Sequence, residues 1–265
     1  MITCASSGFS FLHIPKNGGS TIRDQIEDFD DFGNMFSGRK KSEKFGFYDS
    51  AHVPLIRLRS DWPTEFDIIS KLDLFAIVRN PSDRFHSAMA QRIRQHLHRN
   101  PSELAKSEVF NEIEYVLNHL RDHQDFPEYE FVHFCRQVDF IELDGKEFVQ
   151  NLFLICELSD LISEFSSRLG TNLLRDIKVN KTITFRHDSL ASASIKLKNA
   201  AKRILPFSVY SLTREYAMKA LTVDGAENLR SAINESNELQ SFIEDFYRKD
   251  LEIFKKLHHK KSQFL

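Results

Sequence analysis

Two turns in this chain carry residue types that could hold an anion. In "FLHIPKNGGSTI", an apolar run leads into Pro15, Lys16, Asn17, Gly18, Gly19, Ser20 and Thr21. Paired glycines remove side chains where the backbone must bend, and they let amide N–H groups approach an anion. Ser20 and Thr21 would open a helix whose first amides and dipole favour the same anion. Lys16 adds a full positive charge. A Walker-type loop, G-x-x-x-x-G-K-[ST], has its lysine after the glycines. Here the first glycine is missing and the lysine comes before the turn, where it can reach over the anion's distal side and any group leaving from it. The plainer reading is a glycine turn capped by Ser20. The second turn is "FAIVRNPSDRFHSAMA". Arg79 ends an apolar run, and Ser87 follows eight residues later. A guanidinium fork and a hydroxyl two helical turns on can converge on one phosphate.

The elements around these turns read as strands followed by helices. "GFSFLHI" and "LDLFAIVR" predict short buried strands, and "NLFLICEL" a third. "STIRDQIEDF" predicts the helix after the first strand. "NPSDRFHSAMAQRIRQHLHR" predicts the helix after the second, with Asn80 as N-cap, Pro81 at the first position and Asp83 in the first turn. Phe85, Met89, Ile93 and Leu97 give that helix a core face. Further helices are expected over 103–121, over 127–136 and in "SDLISEFSSRLG", with Gly170 as its C-terminal cap. A last long helix is expected over 239–257, with Leu239, Ile243, Tyr247, Leu251 and Phe254 on one side. "GNMFSGRKKSEKFG" reads as an exposed segment. Strands separated by helices imply a parallel sheet covered on both faces, with ligands beyond the carboxyl ends of the strands. Both turns fall there.

Composition narrows the function classes. The chain has 265 residues, 36 basic against 38 acidic, and a formal net charge of -2. Length and hydrophobic content suit one domain over 1–265. Near-balanced charge gives no bulk attraction for nucleic acid or membrane, so an anion site must be local. Cys4, Cys135 and Cys156 are too few and too far apart for a disulfide framework or a zinc pattern, and free thiols are expected. No apolar run approaches 18 residues, so no membrane span is expected. The first strand begins too early for a signal peptide, which implies a cytoplasmic protein if Met1 is the native start. In that compartment the sequons at Asn180 and Asn234 carry no meaning.

"HIPKNGGSTI" resembles the 5'-phosphosulfate loop of sulfotransferases that use 3'-phosphoadenosine 5'-phosphosulfate (PAPS). "VRNPSDRFHSA" resembles their 3'-phosphate motif. The similarity is to the carbohydrate branch that includes heparan sulfate 2-O-sulfotransferases and bacterial relatives. It continues in order through "HFCRQ", "CELSDLISEFSSRLG", "VNKT" and "FYRKDLEIFKKL", spanning roughly residues 9 to 257. The resemblance implies a P-loop-like three-layer α/β fold with a central parallel sheet flanked by helices. It implies PAPS as donor, PAP as product, and a hydroxyl-bearing acceptor, a carbohydrate or glycoconjugate. Lys16 would contact the oxygen bridging phosphate and sulfuryl group. Asn17, Gly18, Gly19, Ser20 and Thr21 would hold the 5'-phosphosulfate, and Arg79 and Ser87 the 3'-phosphate.

Sulfuryl transfer to an alcohol needs a base, and histidine is the usual choice near neutral pH. Among eleven histidines, the resemblance points to His52 in "DSAHVPLIR", although Ala51 stands where the family commonly has glycine. His13 is expected to pack in the sheet, and His86 to point away from Ser87. His119, His123, His133 and Cys135 form no complete metal motif, and the chemistry needs no metal. Arg92, Arg94 and Arg99, with His96 and His98, could attract an acidic acceptor or merely form a solvated helix face. Two other readings stay open: an NTP-dependent kinase on a similar sheet, and a nucleotide-binding protein without catalysis.

Overall fold

Alternating side chains on two short strands set the core. Phe9 and Phe11 of one strand and Phe75 and Ile77 of its neighbour point to one face, while Leu12, Leu74, Ala76 and Val78 point to the other. The computed structural model describes residues 1–44, 46–123, 128–173, 184–185, 222–223 and 227–262. In chain order the elements are β1 (Ile2–Cys4), β2 (Phe9–Leu12), α1 (Gly19–Ile26), β3 (Arg39–Ser42), β4 (Gly46–Asp49), α2 (Leu55–Asp61) and α3 (Pro63–Ile69). Then come β5 (Asp73–Val78), α4 (Pro81–His96), α5 (Lys106–Asp122), α6 (Val138–Ile141), β6 (Glu142–Leu143), β7 (Lys146–Glu147), β8 (Asn151–Leu154) and α7 (Leu158–Leu169). β9 (Thr184–Phe185), β10 (Thr222–Val223), α8 (Glu227–Glu235), α9 (Asn237–Phe246) and α10 (Arg248–Ser262) complete them.

The main sheet has the order β1-β2-β5-β8. β2, β5 and β8 are parallel, with Leu12 opposite Ala76 and Val78 opposite Leu154. β1 runs antiparallel to β2. The fold is thus α/β with a mixed, mostly parallel sheet, where the sequence predicted parallel strands alone. The antiparallel strand lies within the first four residues, too short a stretch to show a period.

Helices pack on both faces. α1 and α7 bring Ile22, Ile26, Leu161, Ile162 and Phe165 against the phenylalanine face. Phe165 stacks on Phe9 at 4.6 Å and meets Phe75 edge-on at 5.1 Å, geometry that aromatic quadrupoles favour. α2, α3 and α6 bury Leu55, Leu58, Ile69, Phe140 and Ile141 on the other face. A third cluster joins α4, α5, α8 and α9 around Met89, Val116, Leu229 and Ile243.

Most expected elements are present, with four differences. The helix after β5 stops at His96, and Leu97 is exposed. Where the sequence predicts an α-helix over 127–136, the described residues 128–136 hold a 3-10 helix, Tyr129–Phe134. The final helix is two: α9 ends at Phe246, and α10 begins at Arg248, because Tyr247 leaves helical geometry (φ -102, ψ 24). Its hydroxyl donates to Phe134 O at 2.7 Å, and its ring lies under the Arg84 guanidinium, so tertiary contacts override the helical period. The "GNMFSGRKKSEKFG" segment supplies β3 and buries Phe36. Asn80 caps α4, accepting from Ser82 N at 2.9 Å, and Gly170 ends α7 in the left-handed region at φ 61, both as read from sequence. "VNKT" and Asn180 lie outside the described residues. Cys4, Cys135 and Cys156 are free thiols, and among the described residues no helix is long and apolar enough to cross a membrane.

Candidate functional site

β2 and β5 end side by side, so the turns that follow them are neighbours. Lys16 stands in the left-handed region at φ 68, and Gly18 at φ 83. Gly19 opens α1 beneath the His13 imidazole. A Cβ there would lie 2.3 Å from His13 Cδ2, so only glycine fits. His13 itself is buried just past the end of β2, packed edge-on against His52 with ring centres 4.5 Å apart. Ser20 is exposed, and Thr21 is buried with its amide donating to Gly18 O.

The two turns are tied together by side chains. The Arg79 guanidinium donates to Lys16 O at 3.1 Å. Asn17, which is buried, donates to Ile77 O at 2.5 Å and to Gln137 Oε1 at 2.6 Å. Gln137 also accepts from Arg79 N at 3.0 Å and donates to Arg79 O at 2.9 Å, so its amide acts as a further rung beyond β5. The backbone of Gln137 is held in turn by Asp250 of α10, whose carboxylate accepts from Gln137 N and Val138 N, each at 2.8 Å. Arg84 lies 4.0 Å from that carboxylate and donates to His133 O and Cys135 O. Asn17 is thus engaged with protein groups through its side chain, and holds the loop's shape.

α4 brings a second row of side chains into the same space. Ser87, Gln91, Arg94 and Gln95 follow one another at helical spacing, and all are half-buried. Lys16 Nζ donates to Gln91 Oε1 at 2.5 Å. An ammonium can only donate, which fixes the Gln91 amide; its Nε2 then faces His133 Nε2 at 3.3 Å. Burial, with Arg94 and Arg79 nearby, draws the Lys16 ammonium down to about 8. Burial also lowers the Arg79 and Arg94 guanidinium pKa values. Arg94 keeps a buried nitrogen, NH1, without a hydrogen-bond partner. Among the described residues, no carboxylate forms an ion pair with Lys16, Arg79 or Arg94. Against the lowering by burial, Asp83 is near enough to raise the Arg79 pKa, but among the described residues the three cations make no ion pair, a costly arrangement unless an anion completes it.

Beside these cations sits His52, 8% exposed. Its Nδ1 is 2.8 Å from His13 O, and a carbonyl can only accept, so Nδ1 carries the proton and Nε2 a lone pair. Asp49 Oδ2 lies 4.0 Å from Nε2. Burial lowers the His52 pKa, while Asp49 and the His13 carbonyl pull it back up. Its ring is 5.6 Å from that of His133.

The other candidates disperse. Arg92 is buried with Glu112 and Glu130 and stacks over Phe131, so it belongs to the core. Arg99 pairs with Glu108. His119 stacks between His123 and Phe131, away from His133, whose ring faces His52. Sequence reading had no role for Gln91, Gln137 or Asp250. "HFCRQ" and "FYRKDLEIFKKL" contain two of them, but an uncharged amide and a surface-seeming aspartate give no signal until the chain is folded.

No family model, curated protein or solved structure matches the chain.

Proposed function

We propose that this protein is a sulfotransferase on a P-loop-like three-layer α/β fold, moving the sulfuryl group of PAPS to a hydroxyl of a carbohydrate or glycoconjugate. One observation carries the reading: Lys16 and Arg79, where β2 and β5 end, and Arg94 of α4 form no ion pair with a carboxylate among the described residues, and they lie beside a buried imidazole whose Nε2 holds a lone pair. A donor with anionic groups at two separated points suits such an arrangement, since each cation gains a charge-assisted partner. The loop amides of Gly18, Gly19 and Ser20, the Ser20 and Thr21 hydroxyls and the α1 dipole suit the 5'-phosphosulfate. Arg79 and Ser87 suit the 3'-phosphate that distinguishes PAPS from ATP.

In the proposed reaction His52 Nε2 takes the acceptor's hydroxyl proton as the oxygen attacks sulfur in line. The new O–S bond forms as the sulfur–oxygen bond to the adenylate phosphate breaks. The electron pair leaves with PAP, and the Lys16 ammonium balances the charge growing on that phosphate oxygen. Gln91 holds the ammonium in position from below. No step calls for a metal ion.

The test is incubation with radiolabelled PAPS and a glycan panel, alongside calorimetry with PAP and ADP. Label transfer and a clear preference for PAP are expected. Equal affinity for ADP would favour a nucleoside triphosphate enzyme, and tight PAP binding without transfer to any acceptor would favour a binding protein. Lys16→Ala should lower the transfer rate by about 10²–10³-fold.

A further inference from the structure

Asp49 and His52 share one stretch of chain and His133 comes from another, yet one potential ligand atom from each lies within 4.8 Å of the others. Asp49 ends β4, His52 follows three residues later, and His133 sits on the 3-10 helix Tyr129–Phe134. Both histidines are buried and the aspartate is half-buried. Two imidazoles and a carboxylate are the donor set of many first-row divalent sites. We infer that these three side chains form a binding site for a borderline divalent cation of the zinc class, and that its occupation blocks His52.

The hydrogen bonds around these side chains suit a ligating role. A ligating histidine usually passes its other ring N–H to a backbone carbonyl, which fixes tautomer and ring orientation. His52 already does this through Nδ1 and His13 O, leaving Nε2 turned toward Asp49. Asp49 is oriented as well, because its Oδ1 accepts from Ala51 N at 3.0 Å while Oδ2 faces the imidazole. Ligands about 2.0–2.2 Å from a tetrahedral ion lie roughly 3.3–3.6 Å from one another. The three side chains therefore need to close by about an ångström, and Gln91 Nε2 gives up its place 3.3 Å from His133 Nε2. Lys16 opposes the ion electrostatically, and the Asp49 carboxylate offsets that charge. A water or an acceptor hydroxyl would supply the fourth ligand.

The ion would take the same Nε2 lone pair that the proposed transfer uses. This part of the inference rests on the sulfotransferase reading; the binding part does not. Metal-free protein is titrated with Co²⁺, reading the visible d–d absorption of a low-symmetry site, and with Zn²⁺ by calorimetry. One ion per chain is expected. Asp49→Asn, which keeps an acceptor for Ala51 N, and His133→Gln should each weaken binding by more than the roughly 10–100-fold lost when only a partner of a ligand is changed. His119→Gln should leave it unchanged, since that ring stacks elsewhere. Absence of the band, or its persistence in both Asp49→Asn and His133→Gln, overturns the site. If His133→Gln fails to fold, Asp49→Asn decides alone. Saturating Zn²⁺ should abolish label transfer from PAPS, and an undiminished rate overturns the overlap with His52. Absence of transfer in metal-free protein, with Co²⁺ bound as described, counts against the sulfotransferase reading and leaves the cation site standing.

Discussion

Replacing Asp250 by asparagine removes one charge, far along the chain from the turns at Lys16 and Arg79, and should loosen both. Asp250 is fully buried. Burial pushes its carboxyl up to about 6, with Arg84 and the Gln137 and Val138 amides pulling it back, so it is ionised at pH 7.5. Asparagine can accept from one of the two amides but turns its own N–H₂ toward the other. One buried amide then lacks an acceptor, which costs about 1–3 kcal/mol. Arg84, 1% exposed, also loses the carboxylate 4.0 Å away. Breaking a buried ion pair costs about 3–5 kcal/mol when the partners touch. The longer separation here, and the carbonyls of His133 and Cys135 that Arg84 keeps, put this part well below that range. The sum is about 3 kcal/mol. Urea unfolding at pH 7.5 should show it as a lower midpoint with unchanged slope, and thermal unfolding as a fall of roughly 6–12 °C. PAP affinity should fall as well, because Gln137 loses the backbone anchor from which its amide holds Asn17 and Arg79. Asp144→Asn, on the exposed pair with Arg59, is the control and should leave the midpoint where it was. A loss below about 1 kcal/mol for Asp250→Asn, or unaltered PAP affinity, would refute the chain of contacts from α10 to the turns at Lys16 and Arg79.

Gly19→Ala should cost about 1–3 kcal/mol or more by overpacking, because its Cβ would meet the buried His13 ring, and urea unfolding would show it. The rate of transfer should be bell-shaped in pH. Its acid limb should fall below the ordinary histidine value of 6.5, as burial lowers His52, and its basic limb near the Lys16 value of about 8, read from kcat/KM. Stability should decline as pH falls below 6.5. Burial holds His13, His52 and His133 neutral, so the unfolded chain takes up protons the native state refuses, each worth about 1.4 kcal/mol per pH unit. Asp250 acts in the opposite sense between 3.8 and about 6, since it holds a proton only when folded there, and three histidines outweigh it. Denaturant midpoints from pH 7.5 to 5 would read the slope, and a flat profile would contradict it.

The sequence was most informative where one short stretch decides the outcome. The strand at 73–78 and the cap at Asn80 follow from apolar runs and cap chemistry, which act over a few residues. The neighbourhood of Lys16 and Arg79 followed from two strand ends that a parallel sheet brings together. What escaped were contacts made across long separations. Gln137 and Asp250 stand 113 residues apart, and nothing in the spacing of either announces a partner. Arg92 and Arg94 sit two residues apart with similar sequence credentials, yet helical geometry sends one into a carboxylate-lined core and the other toward Lys16. The break at Tyr247 was hidden for the same reason, since its cause is a carbonyl on a distant 3-10 helix.

The backbone at position 16 makes a choice visible. A lysine at φ 68 forfeits roughly 1–2 kcal/mol that glycine would not lose in that conformation. The chain therefore carries local strain beneath the Lys16 ammonium. If the residue served architecture, a glycine there would relax the loop and harm nothing else. If it serves charge, Lys16→Gly should separate the two properties, giving a chain that withstands denaturant as well as the parent or better while its grip on anions fails.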